Sequence, residues 1–279
     1  MTASTAGAGT PQGPTVGSVQ TWVRFLAGFL VLCGVLMSAS AVDATGRWGL
    51  GILAVVLLPA VVLEMLRDRR SLPATLCELG LGRPGGRTLA VAVAVSGLVL
   101  LVYPTTAVAT GSGVHLRHDW PWLLIGIFAF HGVAEELVWR GFTFHRLREG
   151  RSFWSAASLT MPLIAASHLP ILLDLGPAIG LGAMAVAMVT SVPFAYLYET
   201  GRNTIWAPAL VHTAIDTFKL VVIPAAAVST FSLLLIAVSL TVPLLALAVP
   251  RRLLMPDSGV GHRSGTASAK TTTRYPTKG

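Results

Sequence analysis

Two adjacent carboxylates, Glu135 and Glu136, lie inside the apolar run FHGVAEELVWRGF, and Arg140 follows the second by four residues. Ionisable side chains in a segment long enough to cross a bilayer are costly and by default mark a functional site. Residues four apart on a helix share a face, while immediate neighbours point about 100° apart. Glu136 and Arg140 are therefore placed to pair, and Glu135 is turned toward some other partner. Three further polar sets sit in apolar surroundings: His131 one turn before Glu135, His168 in SLTMPLIAASHLP, and His212 with Asp216 in WAPALVHTAIDTF. A carboxylate in a wet pocket can act as general base toward water, with His168 sharing in the activation. His212 and Asp216 could then either stabilise a developing oxyanion or help to bind a metal. Asp216 donates to an oxyanion only when protonated; as a carboxylate it orients a histidine or ligates a cation. Taken alone, His131 reads as a packing or pocket-lining residue, and Glu136–Arg140 as a supporting pair.

The elements that must position these groups are membrane spans. The 279 residues are 53% hydrophobic and 11% charged, with mean hydropathy +0.71, against about 25% charged in soluble domains. Eight apolar stretches are long enough to cross, at about 22–42, 48–66, 88–110, 121–145, 153–173, 177–198, 204–222 and 225–249. The fifth and seventh are interrupted by polar residues. The expected fold is all-α and polytopic, with about eight transmembrane helices around an intramembrane active-site cavity. The membrane domain is expected over 21–250, between a disordered tail at 1–20 and a basic disordered tail at 251–279. Between spans two and three, Leu72, Leu76, Leu79 and Leu81 suggest a brief amphipathic helix at the surface.

Charge sets the expected orientation. With the N-terminus cytoplasmic, sixteen Lys and Arg fall on the inner side and three, Arg47, Arg117 and Lys219, on the outer side, leaving Arg140 inside the membrane. That bias predicts an integral inner or cell membrane protein with both termini cytoplasmic. At about 1.5 Å per residue, Glu135, His168 and His212 then lie about 15, 20 and 13 Å below the cytoplasmic surface. Three helices thus bring polar groups to a similar level.

The net charge of +8 reflects loop positives beside the spans, so a nucleic-acid partner is not expected. Cys33 falls in the first span and Cys77 in a loop, which gives no disulfide framework. The first twenty residues hold no Lys or Arg, so no signal peptide is read. His115, His118, His145 and His262 fall in loops or tails and receive no role. An intramembrane transporter would also use Glu, His and Asp, but no repeated half is visible and the polar groups cluster in spans four to seven. A catalytically silent immunity or scaffold protein is the third reading.

These motifs resemble those of the CPBP intramembrane proteases, which include CAAX-type prenyl proteases, Abi proteins and lysostaphin-resistance-like proteins. EELVWRGF is similar to the family's EExxxR signature, ASHLP to the end of its FxxxH motif, and YLYETGRNTIWAPALVHTAID to its closing HxxxN or HxxxD block. CELGLGRP resembles the surface stretch usually found upstream, so the similarity covers roughly residues 71–220. The resemblance implies hydrolysis of a peptide bond in a membrane-associated peptide or protein, within a cavity bounded by lipid. Glu135 would activate water with His168 as partner. His212 and Asp216 would stand at the oxyanion positions, or bind metal in the older metalloprotease reading, and Glu136 with Arg140 would support them. The donor set serves a divalent ion such as zinc and a metal-free mechanism alike. Two departures stand out: Ile164 replaces the usual aromatic, and Pro162 and Pro170 bracket His168, predicting a kinked or broken helix. The Ala-, Gly- and Arg-rich composition hints at a bacterial source.

Overall fold

The computed structural model describes residues 19–255 apart from Ala44; residues 1–18 and 256–279, which hold most of both expected tails, lie outside the described residues. In chain order the helices are α1 (Val19–Val42), α2 (Gly49–Asp68) and α3 (Leu72–Leu76), which widens into a turn over Cys77–Leu81. Then come α4 (Gly86–Leu100), α5 (Val102–Thr110), strand β1 (His115–Leu116) and α6 (Trp120–Ile127). From α6 the helix continues in wide π-type turns over Phe128–Ala134 and Leu137–Phe144 into α7 (His145–Arg148). The rest are α8 (Phe153–Ser167), α9 (Leu169–Leu175), α10 (Pro177–Thr200), α11 (Trp206–Asp216), strand β2 (Val221–Val222), α12 (Val228–Thr241) and α13 (Arg251–Leu254). The two strands pair over two residues each.

Seven helical stretches among the described residues are long and apolar enough to cross a membrane, and the expected seventh span is not one of them. Residues 204–222 form only the 11-residue α11, followed by a 3-10 turn at Thr217–Leu220 and then β2. The cause is local chemistry: Thr217 turns its hydroxyl back to the Ala214 carbonyl at 2.6 Å, and Asp216 and Lys219 pair with each other. A half-length helix is tolerated at membrane depth only when surrounding protein meets its freed backbone groups.

The continuous stretch Trp120–Arg148 is the hub. Its most apolar window is 72% buried, against 22–33% for the other six. Leu32 and Leu36 of α1 and Val56 and Ala60 of α2 join Phe130, Leu137, Trp139 and Phe142 in one apolar core, while α11 packs against α4 and the 128–134 turns. At the α1–α2 turn Asp43 accepts from the Trp48 N–H at 2.6 Å and the Thr45 N–H at 2.9 Å. Burial pushes that carboxyl up, but these bonds outweigh it and hold it below the usual carboxylate range.

The segment from Leu72 to Gly85 is docked onto protein as well as amphipathic. Leu79 is fully buried, and Cys77 stands on this helical segment where a loop was expected. Gly80 adopts φ +81°, which a side chain would strain and which a Cβ would crowd against Ile205 and Tyr198. Its carbonyl accepts the Ile205 N–H at 2.9 Å, and Trp206 Nε1 donates to the Gly82 carbonyl at 2.8 Å. Glu78 bonds His145 Nε2 at 3.0 Å, and His145 Nδ1 meets the Tyr198 hydroxyl at 3.0 Å. His145, expected to be an idle loop residue, thus links three elements.

Backbone of this segment also presses on the hub: a Cβ on Gly141 would collide with the Leu79 carbonyl. Gly141→Val is expected to lower the thermal unfolding temperature in detergent, by an overpacking cost of about 1–3 kcal/mol. Gly97→Ala, whose added methyl meets nothing within 4 Å and which replaces a glycine inside α4, should keep or raise it; intrinsic fluorescence during heating compares the two.

Candidate active site

The wide turns of the hub decide which side chains face one another. The Glu135 N–H reaches back five residues to the Phe130 carbonyl, and the His145 N–H does the same to Arg140. Such π-type widening inside an α-helix is found mostly at functional sites. Around it the i to i+4 pairing survives twice. Arg140 Nη1 donates to Glu136 Oε1 at 2.9 Å, and His131 Nδ1 stands 2.6 Å from Glu135 Oε1. The partner that Glu135 needs is thus His131, read from sequence as a lining residue.

Helix α11 supplies the facing wall. It approaches closely because Gly132 has no side chain: a Cβ there would come within 2.5 Å of Thr213 Oγ1 and 3.1 Å of the Ala209 carbonyl. His212 and Asp216, one turn apart, then project onto the two glutamates. His212 Nδ1 is 2.8 Å from Glu136 Oε1. Its Nε2 is 3.7 Å from Glu135 Oε2 and 3.6 Å from Asp216 Oδ2, and Asp216 Oδ2 is 3.6 Å from His131 Nδ1. These longer separations are of the kind commonly bridged by a water.

Glu136 is fully buried and Arg140 nearly so. The Phe194 ring lies 5.0 Å from the Arg140 guanidinium carbon and its centroid 5.6 Å from that of His212, closing the rear of the site. Glu135, His212 and Asp216 keep 20, 19 and 14% of their side-chain surface exposed. The glutamates therefore have different stations: Glu136 is sealed in, while Glu135 fronts the opening.

Lys219, counted from sequence among the outer loop charges, belongs to this cluster. Its Nζ lies 2.5 Å from His131 Nε2 and 3.5 Å from Asp216 Oδ1. The available signal was its position three residues after Asp216 in an apolar block.

His168 is placed differently. The helix does break there, between α8 and α9, at φ −95° and ψ 1°. Its Nδ1 turns back to the Ile164 carbonyl at 2.9 Å and to the Ser167 hydroxyl at 3.2 Å. Among the described residues no hydrogen bond or ion pair joins His168 to Glu135, His212 or Asp216.

Among the described residues no group of three or more His, Cys, Asp or Glu side chains is arranged to hold a metal ion. Glu135 Oε1 and His131 Nδ1 face each other, His212 Nδ1 faces Glu136, and a lysine ammonium lies beside Asp216.

Removing one partner of a buried ion pair leaves an uncompensated charge, which costs about 3–5 kcal/mol. Arg140→Met is accordingly expected to lower membrane yield and thermal stability in detergent at least as much as it lowers activity. Normal unfolding with activity alone lost would contradict a supporting role for the pair.

Residues 117–218 match the family model for the type II CAAX prenyl endopeptidase Rce1-like domain. The matched span takes in the hub, His168 and all of α11; the CELGLGRP stretch lies upstream of it. No curated protein and no solved structure matches the chain.

Proposed function

We propose that this integral membrane protein, whose residues 117–218 match the Rce1-like type II CAAX prenyl endopeptidase model, is an endopeptidase using water activated by Glu135. The observation that carries the reading is the pair of oxygens on Glu135. Oε1 is held by His131, and Oε2 faces His212 and, across it, Asp216. A water held among Oε2, His212 Nε2 and Asp216 Oδ2 would lie beside its base.

In the proposed reaction Glu135 takes a proton from that water as the oxygen attacks the scissile carbonyl carbon. Negative charge passes to the carbonyl oxygen. His212, bonded to Glu136 through Nδ1, presents Nε2; when the ring is protonated, Nε2–H donates to the oxyanion. Asp216, paired with Lys219, serves as the orienting carboxylate of the two roles considered for it. As the tetrahedral species collapses, the C–N bond breaks and Glu135 passes its proton to the leaving amine. His168, whose Nε2 bonds no described residue, is assigned to the water or the substrate on family resemblance alone.

The substrate class follows from the setting: a peptide bond in a membrane-associated protein, with a prenylated C-terminal CAAX peptide as the reference probe. Both termini are assigned to the cytoplasmic side, which requires that the half-length α11 and the turn after it still carry the chain across; β2 at the far end of that segment pairs with β1 in the outer loop between α5 and α6. With Lys219 withdrawn from the outer loops, the charge bias over those eight crossings becomes sixteen to two, which supports that orientation.

Glu135→Gln, assayed in proteoliposomes with a fluorescence-quenched farnesylated CAAX peptide, is expected to reduce cleavage on the order of 100- to 10,000-fold while the protein still inserts and folds. Wild-type cleavage should persist in a chelator. Comparable cleavage by the variant would remove Glu135 as base, and chelator-sensitive cleavage would remove the metal-free mechanism.

A further inference from the structure

Behind the proposed base, His131 touches Glu135 and Lys219 touches His131, and the chemistry of each constrains the next. An ammonium has three donors and no acceptor. At 2.5 Å from Lys219 Nζ, His131 Nε2 must therefore accept. A neutral ring that accepts at Nε2 carries its proton on Nδ1, and Nδ1 stands 2.6 Å from Glu135 Oε1. The donors run in one direction, from Lys219 to His131 to Glu135. His131 is 8% exposed, so neither end of its ring exchanges these partners freely for bulk water.

Charge balance points the same way. Glu135, Glu136 and Asp216 bring three carboxylates to one polar cluster, against which the fixed cations are Arg140 and Lys219. Arg140 is committed to Glu136 at the sealed end. Lys219 is thus the fixed cation at the end where Glu135 fronts the opening, with Asp216 Oδ1 at 3.5 Å and the Phe218 ring centroid at 5.5 Å. Without it, Nε2 loses its donor while the Glu135 carboxylate still holds the proton on Nδ1, so the ring keeps its tautomer but loses the second contact that fixes its rotation. A ring free to rotate no longer holds Oε2 toward His212, and the carboxylate drifts from the water it should activate.

We propose that Lys219 and His131 are positioning residues: Lys219 anchors the Nε2 edge of His131, and the Nδ1–H of His131 then locks the Glu135 carboxylate with Oε2 toward His212. The inference rests on Glu135 being the hydrolytic base. It assigns to a lysine, placed one turn beyond Asp216, the task of setting the geometry of that base through an imidazole.

The test uses the full chain, labelled with 15N-histidine and reconstituted in lipid bilayers, with the His131 signals identified by their loss in His131→Asn. The wild type is expected to show His131 protonated at Nδ1. Lys219→Met should shift the Nε2 signal as that nitrogen loses its donor and lower kcat for the quenched farnesylated CAAX peptide on the order of 100-fold, the cost typical of a misplaced catalytic group, with KM little changed. Lys219→Arg keeps a cationic donor and should retain both nitrogen signals and most of kcat. An Nε2-protonated His131 in the wild type, unchanged nitrogen signals in Lys219→Met, or full activity in that variant would overturn the proposal. Uncleaved peptide with wild-type protein counts against the hydrolytic reading alone, and the nitrogen signals then decide the Lys219–His131 link by themselves.

Discussion

A carboxylate with no exposed surface governs this molecule. Glu136 is fully buried in an apolar core, where an unpaired charge would be prohibitively costly. Two groups offset that cost. Arg140 comes from the same helix one turn on, and His212 reaches across from α11. Because His212 is one of the two, a fixed position for α11 is part of what makes the buried charge tolerable. The same contact swings Asp216 and the free edge of His212 toward Glu135. Stability and chemical geometry are therefore drawn from one interaction, with the adjacent glutamates dividing the tasks.

Close approach is the second condition, and it depends on small residues at a few crossing points. Gly132 lets α11 lie against the hub, and Gly141 lets the carbonyl of Leu79 do so. The π-type turns adjust the rotation of the hub between these contacts, so that Glu135 and Glu136 face different environments although they are neighbours in sequence. No second layer or sheet is needed: the pairing of β1 with β2 spans only two residues on each strand.

Much of this architecture was legible in residue spacing. The Glu136–Arg140 bond is what a 3.6-residue repeat predicts, and His212 and Asp216 do share the face that meets the glutamates. What escaped has physical reasons. Apolar runs reveal length but not where a helix stops, so residues 204–222 read as a full span and Lys219 as a loop charge. His131 stands at the i to i+4 spacing from Glu135 that a helix predicts, but a lone histidine in an apolar helix pairs as readily with a neighbouring helix, so spacing did not single it out. His168 illustrates a different limit. Its depth as counted from sequence matches those of Glu135 and His212, but depth is one coordinate; rotation about the helix axis is another, and here the ring bonds back to Ile164.

The stretch between α2 and α4 carries a consequence of its own. Surface connections ordinarily absorb insertions and deletions because little depends on their course. This one holds the start of α11 through the carbonyls of Gly80 and Gly82, and it presses on the hub through Leu79. The hub and α11, the two walls of the polar cluster, are thus both tethered to one short strap. A residue added or removed between Cys77 and Gly82 would shift the two walls against each other, which makes this segment the least editable part of the exterior.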